Sequence, residues 1–322
     1  MSLRERLGIE HPIVAAGLGG GLSRARLTVA IGDAGGIGQL GLMPARMLSA
    51  ELAAHREQTA APVAVNLLLP FARRAHREVA EKADAVVTFW GDPRRATHGI
   101  WVHQCGSVEE ASVSHRAGAD GVIVQGVEAG GHVRGTTPSL ELLERTRAAL
   151  PLGFPIWLAG GVAEREDVAT AFAAGADAVV LGTRFLLSGE SHAHPEYKRR
   201  LLLACDTLLT DLFGAGWPAP HRVVPNAATS RWVASDGRAP RWIGAVNRVG
   251  APALSRMPLA VVQRAARAQR PGLPLFGPGA PTAGDPESLL EASPLYAGQS
   301  VARIHDLQPA ADLVAALAGV AD

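Results

Sequence analysis

Short apolar or β-branched runs recur along the first two-thirds of the chain, at 12–16, 36–41, 63–66, 85–89, 100–105, 121–125, 155–159 and 178–182. Most are separated by alanine-rich, charged stretches with helical spacing, as at 44–56, 71–82, 107–117 and 164–174. This alternation predicts buried strands joined by helices. The link between the fourth and fifth runs is poor in helix signal, so a short helix or none is expected there. Eight strands, each apolar enough for burial on both faces, describe an α/β chain of the (β/α)8 TIM barrel type. The alternative is a doubly wound open sheet. An internal echo favours the barrel: residues 117–126 (AGADGVIVQG) resemble 174–182 (AGADAVVLG). In both, a helix ends at glycine and an aspartate opens the turn into a strand.

Beyond residue 204 the pattern changes. Residues 205–295 are rich in Pro, Gly and Arg and show no strand–helix alternation, which predicts a smaller, mainly helical insertion or cap. Residues 299–322 regain helical periodicity through Leu307, Ala311, Leu313, Val314 and Leu317. The barrel is therefore expected to comprise 1–204 and 296–322.

Composition narrows the function. A net charge of +1 over 322 residues leaves no overall footprint for nucleic acid. The charge is unevenly spread, however. Between 212 and 284 there are nine arginines (Arg222, Arg231, Arg238, Arg241, Arg248, Arg256, Arg264, Arg267 and Arg270) and one acid, Asp236. This segment is expected to flank the barrel mouth and attract an anionic ligand; pairing with acids of the barrel or of a partner subunit is the other reading. No run approaches the roughly 18 apolar residues that span a bilayer, and the first residues lack a signal-peptide core. A cytoplasmic location is the default expectation. Cys105 and Cys205 are the only cysteines, so neither a disulfide framework nor a cysteine-built zinc site is expected. His192 and His194 read as loop residues, and no metal is expected.

Working residues of such a barrel lie just past the C-terminal ends of its strands. The first run leads into Ala16-Gly17-Leu18-Gly19-Gly20-Gly21, where glycines let backbone approach a ligand closely. The second contains a literal GxGxxG, Gly36 to Gly41. It is rejected as a dinucleotide fingerprint because the acid about 20 residues on, Glu57, falls in a helix-like stretch. The third ends on Asn66 and the fifth on His103-Gln104-Cys105. The sixth ends Gln125-Gly126-Val127-Glu128-Ala129-Gly130-Gly131-His132, which presents a histidine directly after paired glycines. That position marks His132 as the acid/base or charge-stabilising group. The last two runs end Ala159-Gly160-Gly161 and Gly182-Thr183-Arg184-Phe185, and together these predict an anion cradle.

At these residues the chain resembles the nitronate monooxygenase family, formerly called 2-nitropropane dioxygenases. The pieces that carry the likeness are HPIV at 11–14, VNL at 65–67, QGVEAGGH at 125–132, AGGV at 159–162, GTRF at 182–185 and AGQS at 297–300. The resemblance implies FMN held without a covalent bond. Gly161, Gly182 and Thr183 would bind its phosphate, Asn66 and Gln125 would reach its ring and ribityl region, and Gln104, Ala159 and Gly160 would line the same cofactor site. Ala129, Gly130 and Gly131 would run beneath the flavin, and Leu18 would face it. His132 matches the catalytic histidine of the family, whose members oxidise nitronates to carbonyl compounds and nitrite with O2. Two departures are visible: Gln104 and Ala159 stand where some relatives carry a lysine and a serine. Losing the lysine would make the flavin harder to reduce. Other readings are an NAD(P)H-dependent flavin reductase acting on a quinone or enoyl thioester, a specialised biosynthetic oxidase, and a binding barrel without chemistry. NAD(P)H as a co-substrate and a homodimeric assembly stay open.

Overall fold

The structure is a computed structural model that describes residues 2–95, 97–254, 268–274 and 276–319. The chain divides into two compact units. One comprises Met1–Ala129, Arg134–His192 and Asp306–Asp322; the other comprises Gly130–Val133 and Ala193–His305.

The first unit is the barrel. Its strands are β1 (Ile13–Ala15), β2 (Gly38–Leu40), β3 (Val63–Leu68), β4 (Ala85–Phe89), β5 (Ile100–Cys105) and β6 (Gly121–Gln125). After β7 (Gly131–His132), which belongs to the other unit, come β8 (Ile156–Ala159) and β9 (Ala178–Leu181). All eight barrel strands are parallel, in the order β1-β9-β8-β6-β5-β4-β3-β2. A Val14–Ile37 bridge joins β1 to β2 and closes the ring. Following the paired residues once round returns to β1 eight residues earlier, the stagger that eight tilted strands require.

That stagger, one residue per strand, stacks the inward side chains in layers of four drawn from alternate strands. Val14, Ala64, Val102 and Trp157 form one layer; Gln39, Val87, Ile123 and Val180 form the next. Above them come Ala16, Asn66, Gln104 and Ala159, and then Gly41, Phe89, Gln125 and Gly182 at the rim. The apolar members pack as one cluster with Leu3, Leu7 and Ile9, which close the bottom. Leu3 and Leu7 sit on the helix Leu3–Leu7, started by a Ser2–Glu5 capping box and ended by Gly8.

Outward residues of the strands, such as Ile13, Val122, Leu158 and Leu181, pack against Leu27, Ile31, Leu142, Val168 and Leu313 of the surrounding helices. The helix Ala310–Ala318 is part of this layer, as the periodicity of the last segment predicts. Among the described residues no helix lies between β4 and β5. The echo in the sequence also has a physical basis. Asp84, Asp120 and Asp177 each precede a strand and accept a hydrogen bond from the start of the preceding strand, at Val63, Trp101 and Ile156, over 2.8, 2.9 and 2.8 Å. Each carboxylate satisfies an N–H that no ladder reaches.

The second unit holds a small antiparallel sheet of β7, β10 (Leu208–Thr210), β11 (His221–Val224) and β12 (Leu295–Tyr296). β11 is central and pairs with the other three. Helices Pro195–Leu202, Ala227–Trp232 and Arg241–Leu254 belong to the same unit. Its core gathers Leu212, Phe213, Val223, Ala228, Ile243 and Phe276. The residue pattern announces the helical content and not the sheet, because the strands are short and flanked by Pro218, Pro220 and Pro225. Arg256, Arg264 and Arg267 lie outside the described residues. No helix among the described residues is long and apolar enough to cross a membrane.

Candidate active site

The upper barrel is lined by amides. Asn66 and Gln104 share the third layer, and Gln125 stands in the rim layer above. Asn66 and Gln125 are buried and Gln104 is half-buried. The Asn66 and Gln104 side chains make no hydrogen bond among the described residues. Gln125 Oε1 accepts the backbone N–H of Arg134 at 3.3 Å. No charged side chain enters these two layers, so the donor set suits a neutral ligand edge that alternates donors and acceptors. Gly17 passes directly against the Asn66 side chain, leaving no room for a Cβ, and brings Leu18 to the same end of the barrel. Leu18 is partly buried against the outer core.

The turn after β8 is the candidate phosphate cradle. Gly160 and Gly161 both have left-handed backbone, φ 105° and 81°. Successive residues in such conformations turn their N–H groups to one side, and only glycine takes them up without strain. Gly160 packs against the backbone of Gly126 and Ala129. That second loop is braced by the Glu128 carboxylate, which accepts the Ser139 N–H at 3.0 Å. Gly182 leads into the short helix Thr183–Leu186, and Thr183 is buried. Arg184 faces elsewhere, bound to Asp306 at 2.6 Å, which leaves it a structural cation. The GxGxxG glycines also have a packing role: a Cβ on Gly38 would press on Thr28 of the helix Ala25–Asp33, and Glu57 lies inside the helix Ala45–Gln58.

His132 lies in the second unit. Strand pairing holds it: β7 runs antiparallel to β11, with His132 opposite His221 and Gly131 opposite Arg222. Gly131 has φ 73°, and Gly130 passes so close to the backbone of Ala297 and Gly298 that it has no room for a Cβ. The imidazole stacks on Trp217, with ring centroids 3.8 Å apart, and has His221 and Tyr296 at 5.3 and 5.6 Å. Burial, and after it the neighbouring His221, holds His132 well below the usual histidine range, so it is neutral at pH 7. His221 is fixed as the Nδ1–H tautomer. Its Nδ1 donates to Ala219 O at 2.9 Å and its Nε2 accepts the Phe213 N–H at 3.2 Å. Burial pushes it down to about 4. Tyr296 donates its hydroxyl to Pro278 O at 2.8 Å.

Trp217, His221 and Tyr296 carry no motif, and sequence reasoning misses them; the β-branched pair Val223–Val224 is the one local signal of the strand that bears His221. Gln39 is a second omission. It is 1% exposed in the layer below Asn66, and neither side-chain Nε2 nor Oε1 finds a partner among the described residues. Cys105 is fully buried and pushed up to about 12, mainly by burial, and is no nucleophile. In the second unit, Arg238 and Arg241 line a cavity of about 550 Å³ with Asp211, Trp232 and Asp236.

The profile of the nitronate monooxygenase family matches residues 2–99 and 70–319. A (3aS,4S,5R,7aS)-5-hydroxy-7a-methyl-1-oxo-octahydro-1H-indene-4-carboxyl-CoA dehydrogenase of Mycobacterium tuberculosis is 31% identical over 77% of this chain and 72% of its own. A probable nitronate monooxygenase of Bacillus subtilis is 28% identical over 65% of this chain and 76% of its own. Among solved structures, FabK from Thermotoga maritima superposes with a TM-score of 0.77 at 28% identity, covering 99% of this chain and 94% of that one. A nitroalkane oxidase from Streptomyces ansochromogenes gives 0.76 at 27% identity, covering 98% and 97%. With the barrel, its glycine turns and its amide lining, these matches show that the chain is an oxidoreductase of the nitronate monooxygenase family.

Proposed function

We propose that this chain oxidises a small nitronate, or the nitroalkane from which it derives, to a carbonyl compound and nitrite with O2, using non-covalently held FMN. The observation that carries the reading is the uncharged, amide-lined upper barrel beside the left-handed Gly160–Gly161 turn. Gly160, Gly161, Gly182 and Thr183 would hold the phosphate. Asn66, Gln104 and Gln125 would meet the ring and ribityl groups, Leu18 would face the ring, and Ala129, Gly130 and Gly131 would follow it. Bound FMN supplies the means of taking electrons from the substrate and passing them to O2.

The remaining chemistry belongs to side chains. A neutral His132 imidazole accepts the α-proton of a nitroalkane without first having to lose one. A nitronate has already lost that proton, and His132 then serves as an N–H donor to its negative charge. Trp217 covers one face of the imidazole and keeps bulk water from it. The test is aerobic turnover of a small alkyl nitronate without NAD(P)H: nitrite release with O2 uptake supports the reading, and absence of both contradicts it.

A second reading is a flavin enzyme that oxidises or reduces a thioester, with NAD(P)H as the reductant in the latter direction. The name of the Mycobacterium tuberculosis relative favours it.

A further inference from the structure

The barrel rim above β4, β5 and β6 carries a cluster that the fold itself does not require. Trp90 follows β4 with φ 60°, a left-handed backbone that a bulky residue rarely adopts and that concentrates at functional sites. The Arg134 guanidinium lies over its indole, with Cζ 4.9 Å from the ring centroid.

Arg134 is fixed from three sides. Its Nε donates to Glu110 Oε1, and the other carboxylate oxygen of Glu110 accepts the Gly106 N–H at 2.8 Å. Its backbone N–H donates to Gln125 Oε1. Gly135 packs on Gly106 with no space for a Cβ on either. A guanidinium whose purpose is pairing presents its fork to the carboxylate through two parallel bonds. Here Glu110 takes Nε alone. The Nη1 and Nη2 groups make no hydrogen bond among the described residues, and the side chain is 28% exposed. Its field reaches into the wall of the barrel, where it is the second cause, after burial, that depresses His103.

We propose that Arg134 is an oxyanion receptor at the barrel mouth: its Nη1–H and Nη2–H bind the two oxygens of a planar group, and Trp90 fixes the plane in which they do so. Because Glu110 balances the charge, the receptor selects by shape, favouring flat groups with two coplanar oxygens over spherical or tetrahedral anions. This deepens the nitronate reading and rests on it, since the two oxygens are then those of the nitronate. Arg134 binds the substrate, and Trp90 is a positioning residue.

The test uses the FMN-loaded protein and sodium nitrate, a planar oxyanion with no carbon to oxidise, with sodium chloride at equal ionic strength as the control. Nitrate binding is followed by the flavin difference spectrum and by competition against a small alkyl nitronate. In the wild type, nitrate perturbs the spectrum and competes, and chloride does neither. Arg134→Met should raise both the nitrate Kd and the nitronate KM by about tenfold or more, leaving flavin content unchanged. Arg134→Lys should recover only part of the loss, because an ammonium cannot present the fork. Trp90→Phe, which keeps an aromatic face, should fall between wild type and Arg134→Met in nitrate affinity. No nitrate binding in the wild type, or values within about twofold in Arg134→Met, overturns the assignment. Should Arg134→Met not fold, equal nitrate affinity in Arg134→Lys and wild type overturns it instead. Arg134-dependent nitrate binding without nitronate turnover leaves the receptor standing and removes the nitronate as substrate.

Discussion

The imidazole of His132 lies on the indole of Trp217, 3.8 Å between centroids and 23° from parallel. The indole covers one face of the imidazole and so adds to the burial that holds His132 well below the usual histidine range, in its basic form. Turnover of a neutral nitroalkane should therefore show no loss of base between pH 8 and pH 6.5, the usual histidine value. Trp217→Ala admits water, raises the His132 pKa and moves the acid limb of kcat/KM upward. An acid limb in the variant at or below that of the wild type argues against this role for the stack.

His132→Ala should retain FMN and lower kcat/KM for a nitroalkane by about a hundredfold, the lower end of general-base contributions. With a preformed nitronate the loss should be smaller, since no proton has to leave. Turnover equal to wild type on both substrates removes His132 from the mechanism.

His103 and His221 are each pushed down to about 4 by burial. In the unfolded chain they titrate near 6.5, so between pH 6.5 and 4 the unfolded state binds more protons than the folded one. Stability is full above pH 6.5 and falls by about 1.4 kcal/mol per pH unit for each histidine on the way down. Urea midpoints at pH 7 and pH 5 read this, and His103→Gln should reduce the slope. An unchanged slope means that His103 is not the group responsible.

Gly161→Ala places a side chain on backbone of φ 81°, at a cost of about 1–3 kcal/mol if the turn is kept. The effect should appear first as a lower flavin-to-protein absorbance ratio, with far-ultraviolet circular dichroism unchanged. A normal flavin ratio would take the phosphate away from this turn.

Gln39→Leu removes an amide that has no partner among the described residues and replaces it with a side chain of similar size. The apoprotein should gain about 1 kcal/mol in chemical denaturation. A loss of that size would mean that the amide is satisfied by an ordered water.

The barrel was legible because parallel strands buried on two faces leave unbroken apolar runs, and because Asp84, Asp120 and Asp177 repeat one structural task at the strand starts. Asn66, Gln104 and Gln125 were legible as polar residues ending apolar strands. The surroundings of His132 were not. His221 and Tyr296 reach it through antiparallel pairing of short strands far apart in the chain, Trp217 reaches it from the loop before β11, and strands of two to four residues leave no periodicity to read. Gln39 was hidden inside a glycine motif. The Trp90–Arg134 stack depends on a backbone angle that tryptophan does not advertise.

The most direct measurement of the central claim is the visible spectrum of the purified protein, followed without oxygen as a small alkyl nitronate is added in the absence of NAD(P)H. A bound flavin should be present, and its visible absorbance should bleach on nitronate addition and return when air is admitted. A flavin that stays oxidised under nitronate and bleaches only with NAD(P)H or a thioester would contradict that claim.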